Sequence, residues 1–237
     1  MKRTVAILNS FAALAVLAVA GLAGAQNPEL RERVAEIKQT MAQNKAELAQ
    51  YTWQEQQTIS VKGEVKKQSL FQVRLGPDGK PQKQPLGSPD QQASSGGRRH
   101  GLKHRVVEKK KEEFEEYAQQ IAQLAQGYMQ PDPGRLQQLF EQGNVSLGPA
   151  GVPGEVRLMI QNYLKPGDTV TLIFNRSQKM LQSLQISSYL NDPSDAVTIA
   201  AQFSRLANGP SHVSDVSVNG VKKQLLVQMQ NSNYQGM

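Results

Sequence analysis

The chain has 237 residues, with 27 Lys and Arg against 20 Asp and Glu, a net charge of +7 and no cysteine. That length holds one domain of ordinary size or two small ones. The missing cysteine excludes disulfides and an acylated cysteine behind a leader, so stability must come from an apolar core.

The first residues read MKRTVAILNSFAALAVLAVAGLAGAQ. Lys2 and Arg3 precede an apolar run densest from Phe11 to Ala20, and Ala23-Gly24-Ala25 offers small residues where a signal peptidase reads. This predicts a secretory signal over residues 1–25, cleaved after Ala25. A membrane-spanning helix needs about 20 apolar residues, and Asn9, Ser10, Gly21 and Gly24 break this run short of that. Cleavage removes two basic residues and no acid, which leaves a soluble chain with no transmembrane span, free in the periplasm or outside the cell. The expected domain is residues 26–237, a single α+β unit.

Asn27-Pro28-Glu29 carries the signature of a helix start: a capping Asn, Pro at the first helical position and an acid in the first turn. Leu30, Val34, Ile37, Met41 and Leu48 then recur at helical spacing to about Gln50, with Asn44 breaking the stripe. From Thr52 the period changes to two. Trp53, Ile59 and Val61 share a face with Glu55 and Gln57 between them, and Thr52, Gln54, Gln56, Thr58 and Ser60 take the other. After a turn at Lys62-Gly63-Glu64, a second strand is predicted to place Val65, Phe71, Val73 and Leu75 on one face. Gly76-Pro77-Asp78-Gly79 turns the chain into a short Lys/Gln/Pro segment suited to a sheet edge.

Residues 87–101, GSPDQQASSGGRRHG, have the composition of a flexible basic loop. A second helix follows from Leu102 to about Tyr128, with Val107, Phe114, Ile121 and Tyr128 seven apart and Tyr117 and Leu124 between them. Asp132-Pro133 caps a short third helix holding Leu136, Leu139 and Phe140, and Gly143 stops it. From Glu155 onward, six strand patterns follow one another. The last hairpin is predicted to turn at Asn219-Gly220, a two-residue hairpin pair. Strands spaced this closely, without intervening helices, must be antiparallel neighbours. One face is apolar and the other is Gln, Ser, Thr and Lys, so one side of the sheet is covered. The expected fold is therefore α+β: a large curved antiparallel sheet with the N-terminal helix and the two central helices packed on one face. No internal repeat is read from the sequence.

In RRHGLKHRVVEKKK, the side chains of His100, His104 and Glu108 would stand at i, i+4 and i+8 if a helix began early. Gly101 weakens such a helix, and Arg98, Arg99, Lys103 and Arg105 repel a cation, so no metal site and no cofactor is expected. Residues 62–105 hold ten Lys and Arg against Glu64, Asp78 and Asp90. This basic stretch carries one aromatic, Phe71, where nucleic-acid readers use stacking platforms. Nucleic acid is therefore not the expected partner. Arg98, Arg99, Lys103 and Arg105 instead suit anionic lipid, lipopolysaccharide or another envelope component. The remaining histidine, His212, lies on a strand near Ser211 and Ser214, and neither serine has the tight Gly-flanked turn of an exposed nucleophile. Asp168, Asp192 and Asp195 stand in turns that they stabilise themselves. The chain is not read as an enzyme.

The helix ELRERVAEIKQTM running into YTWQEQQTISVKG, its hairpin partner SLFQVRLGPDGK and the meander SLQISSYLNDPSDAVTIAAQF resemble, in element order, the periplasmic lipoprotein-carrier superfamily of LolA-like and LppX-like sorting proteins. The resemblance implies a curved sheet whose concave apolar face is closed by helices around acyl chains. Two functions follow: a secreted or periplasmic non-enzymatic binding or interaction module of the bacterial envelope, or a carrier of an acyl-chain amphiphile or lipoprotein. Filled core and ligand cavity use the same apolar side chains, so the sequence does not choose between them.

Overall fold

The computed structural model describes residues 39, 42–87, 102–129, 132–207 and 209–237, with the side chains of 102–111 and 133 outside the description. Residues 42–48 are helical and are denoted α1. Then follow β1 (Tyr51–Val61), β2 (Glu64–Leu75), β3 (Pro81–Pro85), α2 (Leu102–Met129), α3 (Pro133–Glu141), β4 (Val145–Pro149), β5 (Glu155–Gln161), β6 (Thr169–Asn175), β7 (Met180–Tyr189), β8 (Ala196–Arg205), β9 (Ser211–Gly220) and β10 (Leu225–Gly236). The ten strands form one curved, unclosed sheet in the order β3-β2-β1-β10-β9-β8-β7-β6-β5-β4. Every neighbouring pair is antiparallel. From β4 to β10 the chain meanders, and β10 then returns to pair with β1 from Tyr51↔Gly236 to Val61↔Leu225. The α+β reading therefore holds. The Lys/Gln/Pro segment is the edge strand β3, and prolines at both of its ends blunt that edge against further pairing.

The register aligns one inner face across the meander: Leu158 and Ile160, Val170 and Leu172, Leu184 and Ile186, Ile199 and Ala201, Val216 and Val218, Val227 and Met229. Tyr117, Ile121, Leu124, Ala125 and Tyr128 of α2 and Leu136 and Leu139 of α3 belong to the same buried cluster. Over β5–β10 the helices thus pack directly on the sheet, and that stretch of the inner face is core. Asp132 caps α3 by accepting from the N–H groups of Gly134 and Arg135, at 2.9 and 3.2 Å.

Two hairpins at one end of the sheet share a turn. Asn162-Tyr163-Leu164-Lys165-Pro166-Gly167-Asp168 joins β5 to β6, and Leu190-Asn191-Asp192-Pro193-Ser194-Asp195 joins β7 to β8. The closing aspartates are buried, Asp168 at 0% and Asp195 at 1% exposure. Asp168 accepts from the N–H groups of Tyr163, Leu164 and Lys165 at 2.6–2.8 Å. Each aspartate also receives a tyrosine hydroxyl of α2: Tyr128 to Asp168 at 2.5 Å and Tyr117 to Asp195 at 2.9 Å. Burial and the neighbouring carboxylate push the Tyr117 hydroxyl up to about 12, and the same causes raise Tyr128.

Two expectations need correction, and one strand was missed. Asn219 and Gly220 end β9 in the ladder, and the hairpin turns over residues 221–224, with Gln224 at φ 50°. Gly220 is required by the helix: a Cβ there would lie 2.5 Å from Ile121 Cδ1 and 2.8 Å from Tyr117 Cε1. Val65 leaves the inner face, because an irregularity between the Ile59↔Lys67 and Ser60↔Val65 pairs shifts its phase, and it is 61% exposed. Strand β4 was not foreseen, since VSLGP is short and carries Gly and Pro.

Candidate functional site

Along β1 the inward residues are Trp53, Glu55, Gln57, Ile59 and Val61, and on β10 Asn231, Met229, Val227 and Leu225 stand opposite the last four. The inner face is apolar at the Leu225 end and turns polar toward Asn231. Trp53, Phe71 and Val73 form a second buried cluster, with Leu75 and Tyr234 packed against it, separate from the core under α2. Glu55 and Gln57 are buried on the same face, at 3% and 4% exposure.

The sheet divides at this end. Pairing of β9 with β10 stops at Gln230↔Asp215, while β10 continues along β1 to Gly236 and β9 continues along β8 to Ser211. A bulge in β9, between the Gln202↔Asp215 and Phe203↔Val213 pairs, marks the parting. The Val213 carbonyl, beyond the β10 ladder, takes side-chain donors instead: Asn231 Nδ2 at 3.0 Å, the Tyr234 hydroxyl at 3.2 Å and the His212 Nδ1 contact at 3.2 Å. A carbonyl only accepts, so the Asn231 nitrogen must face it, and Oδ1 points to the other side. By the same logic His212 carries its proton on Nδ1. Burial pushes the His212 pKa down and keeps the ring neutral.

The Tyr234 ring contacts two others: Trp53, stacked with centroids 5.5 Å apart, and His212, tilted at 4.1 Å. Burial first, and the Glu55 charge second, raise the Tyr234 hydroxyl far above its ordinary range, so it stays a donor. Beside these rings, Lys83 of the edge strand points inward and pairs with Glu55 at 2.5 Å, both side chains being buried. Lys83 Nζ also lies 6.0 Å from the Phe71 centroid. Asn44 of α1 ties the start of β9 in place: its amide donates to the Ser211 carbonyl at 2.6 Å and accepts from the Ser211 N–H and hydroxyl. The residue that interrupts the helical stripe is thus an anchor.

Two buried polar atoms have no hydrogen-bond partner among the described residues, Trp53 Nε1 and Asn231 Oδ1. This end of the sheet, the β1–β3 wing, therefore holds a stacked aromatic pair, one unpaired donor, one unpaired acceptor and a closed ion pair. The ionisable groups here are committed: Glu55 to Lys83 and the His212 Nδ1 to Val213. The serines weighed beside His212 are committed as well, Ser211 to Asn44 and Ser214 to the Gln202 carbonyl at 3.2 Å. Sequence reasoning placed Trp53, Glu55 and Gln57 on one face but missed the site. The available signal was polar residues in phase with apolar ones.

The surface residues singled out from the sequence are not among those whose side chains the structure describes. Arg98, Arg99 and His100 lie outside the described residues, as do the side chains of Lys103, His104, Arg105 and Glu108. The helix α2 spans Leu102–Met129, so its backbone carries Lys103, His104, Arg105 and Glu108. No cluster of metal-ligating groups occurs among the described residues, and none of the described helices is long and apolar enough to cross a membrane.

No family model and no curated protein matches the sequence. Among solved structures, the chain is similar to the LolA superfamily protein NE2245 from Nitrosomonas europaea, with 10% identity, a TM-score of 0.37, and 84% of this chain and 93% of that one covered. It is also similar to a DUF1329 family protein from Desulfovibrio piger, with 9% identity, a TM-score of 0.38, and 85% and 92% covered. These are likenesses of architecture, in line with the plan seen in the sequence, and they supply no residue correspondence.

Proposed function

We propose that this is a secreted or periplasmic, non-enzymatic binding protein of the bacterial cell envelope, and that its binding surface is the inner face of the β1–β3 wing. One observation carries this: the inner face separates into a core sealed by α2 and α3 and a second aromatic cluster holding unpartnered polar atoms. A face built only for packing would be apolar throughout, since a buried polar group without a partner costs about 1–3 kcal/mol. The signal-like first 25 residues support secretion, and the basic stretch with Arg98, Arg99, Lys103 and Arg105 supports an anionic envelope surface as the setting.

A second reading, a carrier of an acyl-chain amphiphile, is favoured by the separate apolar cluster of Trp53, Phe71 and Val73, which lies outside the core under α2. Both are tested together. Trp53 is the sole tryptophan of the chain, so its fluorescence reports on the wing alone. Protein purified from its own periplasm would be extracted for lipid and analysed by mass spectrometry, then titrated with the recovered compounds. A co-purifying compound that changes Trp53 emission supports binding at the wing. Consistently empty protein, with emission unmoved by envelope extract, would overturn it.

A further inference from the structure

We propose that the adjoining tips of the β1–β2 and β9–β10 hairpins dock on the surface of an anionic phospholipid bilayer. The inference goes beyond the inner face of the wing and does not depend on it.

The two tips carry the same four residues. Val65-Lys66-Lys67-Gln68 stands at the start of β2, and Val221-Lys222-Lys223-Gln224 forms the β9–β10 turn. The tips are neighbours. Val61 pairs with Glu64 on one side and Leu225 on the other, and the Lys62 N–H donates to the Gln224 carbonyl at 2.9 Å. In the order β2-β1-β10-β9 the outer two strands are three spacings apart, roughly 14 Å. Val65 is 61% exposed and Val221 49%. Lys62, Lys66 and Lys222 are exposed beside them, and Lys67 and Lys223 are half-buried.

The β1–β2 turn keeps its lysine against the backbone's preference. Lys62 and Gly63 form a two-residue loop with φ 54° and 79°. A hairpin loop with both φ values positive favours Asn at its first position, and a longer side chain there is strained. Strain held at a surface tip points to function. What lysine adds over asparagine is a positive charge at the tip.

The acids at this end leave a positive balance. Glu64 pairs with Lys66, Glu113 with Lys223 at 3.5 Å and the buried Asp195 with Lys222 at 3.5 Å, and Asp192 also feels the Lys222 charge. Lys62 and Lys67 have no ion-pair partner among the described residues. Glu113 and Phe114 of α2 lie against Lys223, so the first eleven residues of that helix lead on past the tip. In sequence they hold five Lys and Arg against Glu108 and Glu112. The end therefore gathers ten basic groups against six acidic ones. An exposed aliphatic side chain gains from an apolar layer, and a lysine gains from phosphate. A bilayer surface with anionic headgroups supplies both at one level, whereas a nucleic acid supplies the phosphate alone.

The protein purified from its own periplasm is sedimented with vesicles of phosphatidylcholine, with and without phosphatidylglycerol. Binding should require phosphatidylglycerol. It should be lost between roughly 0.1 M and roughly 1 M salt, as the screening length falls from about 10 to about 3 Å. Lys62→Asn suits the turn, so it should leave the thermal midpoint unchanged or higher while weakening vesicle binding about fivefold. Val65→Ser and Val221→Ser should each weaken binding about fivefold through lost apolar contact. Arg176→Gln, in the β6–β7 turn at the opposite end of the sheet, should leave binding unchanged. Absence of binding, equal binding to both vesicles, binding untouched by the three tip variants, or equal weakening by Arg176→Gln would each overturn the docking edge. Lys62→Asn keeps the test decisive if a valine variant fails to fold. The wing is read separately, through Trp53 emission, so loss of the docking edge leaves that proposal standing.

Discussion

The Tyr128 hydroxyl donates to Asp168 at 2.5 Å and lies 2.8 Å from the Ser188 hydroxyl, in a pocket where Asp168 is wholly buried. One helix side chain thereby holds the β5–β6 turn and the end of β7. Tyr117, eleven residues earlier on α2, does the same for the β7–β8 turn through Asp195. Tyr128→Phe should destabilise the fold by about 1–3 kcal/mol, and Tyr117→Phe by about 1–2 kcal/mol, since Lys222 also reaches Asp195. Eleven residues of helix separate the two hydroxyls by roughly 16 Å, so the double variant should be additive within about 0.5 kcal/mol. Urea denaturation followed by circular dichroism measures all three, and strong coupling would show that the latches act as one unit.

The approach of α2 to β9 sets a second expectation. Gly220→Ala places a methyl against Ile121 Cδ1 and the Tyr117 ring, overpacking that costs about 1–3 kcal/mol. Ile121→Val removes the obstructing Cδ1, so the pair Gly220→Ala with Ile121→Val should be more stable than the sum of the single changes. Equal thermal midpoints for Gly220→Ala and the unaltered chain would mean that the helix shifts to make room.

Stability should depend on pH at both ends of the scale. Burial depresses the folded pKa of His212, so below the ordinary histidine range the unfolded chain binds a proton that the folded chain refuses. That contribution is full at neutral pH and declines as pH falls through about 6.5. For Tyr117 the folded pKa is raised to about 12, so its contribution is full below about 10 and is lost as pH rises between these values. Denaturation midpoints across pH should fall on both sides. His212→Phe should flatten the acid limb near the ordinary histidine range, and Tyr117→Phe should reduce the alkaline one, to which the raised Tyr128, Tyr163 and Tyr234 also contribute; an unchanged acid limb in the histidine variant would refute the assignment.

In the wing, Lys83→Met leaves the buried Glu55 charge without its partner and should cost about 3–5 kcal/mol. Changing both, Glu55→Leu with Lys83→Met, should restore or exceed the original stability, because desolvation of the two ions disappears together. A double variant as unstable as the single one would show that Glu55 has a further essential partner. Equilibrium denaturation of the two variants decides this.

The contrast between Asp168 and Trp53 shows what was legible beforehand. Asp168 was read as a turn-stabilising carboxylate, and its bonds to three backbone N–H groups are local, within five residues. The shared turn itself escaped notice, because the two copies differ by one residue in length and only their burial under α2 makes them equivalent. Trp53 was read as one more apolar residue on a strand face. The ring stacked on it is Tyr234, from the far end of the chain, and no local period encodes that meeting.

Alternation of apolar and polar residues, helical spacing and turn chemistry act over a few neighbours, so the sequence by itself determined the strands other than β4, the central helices, the antiparallel pairing of the meander and the covered face. The tertiary structure decided the rest. Pairing of β10 with β1, parting of β9 from β10 at Val213 and closure of Glu55 on Lys83 join residues distant in the chain. Burial gives the chemistry its meaning only there, because an indole N–H is ordinary in water and becomes an unfilled donor once the folded wing shuts water out.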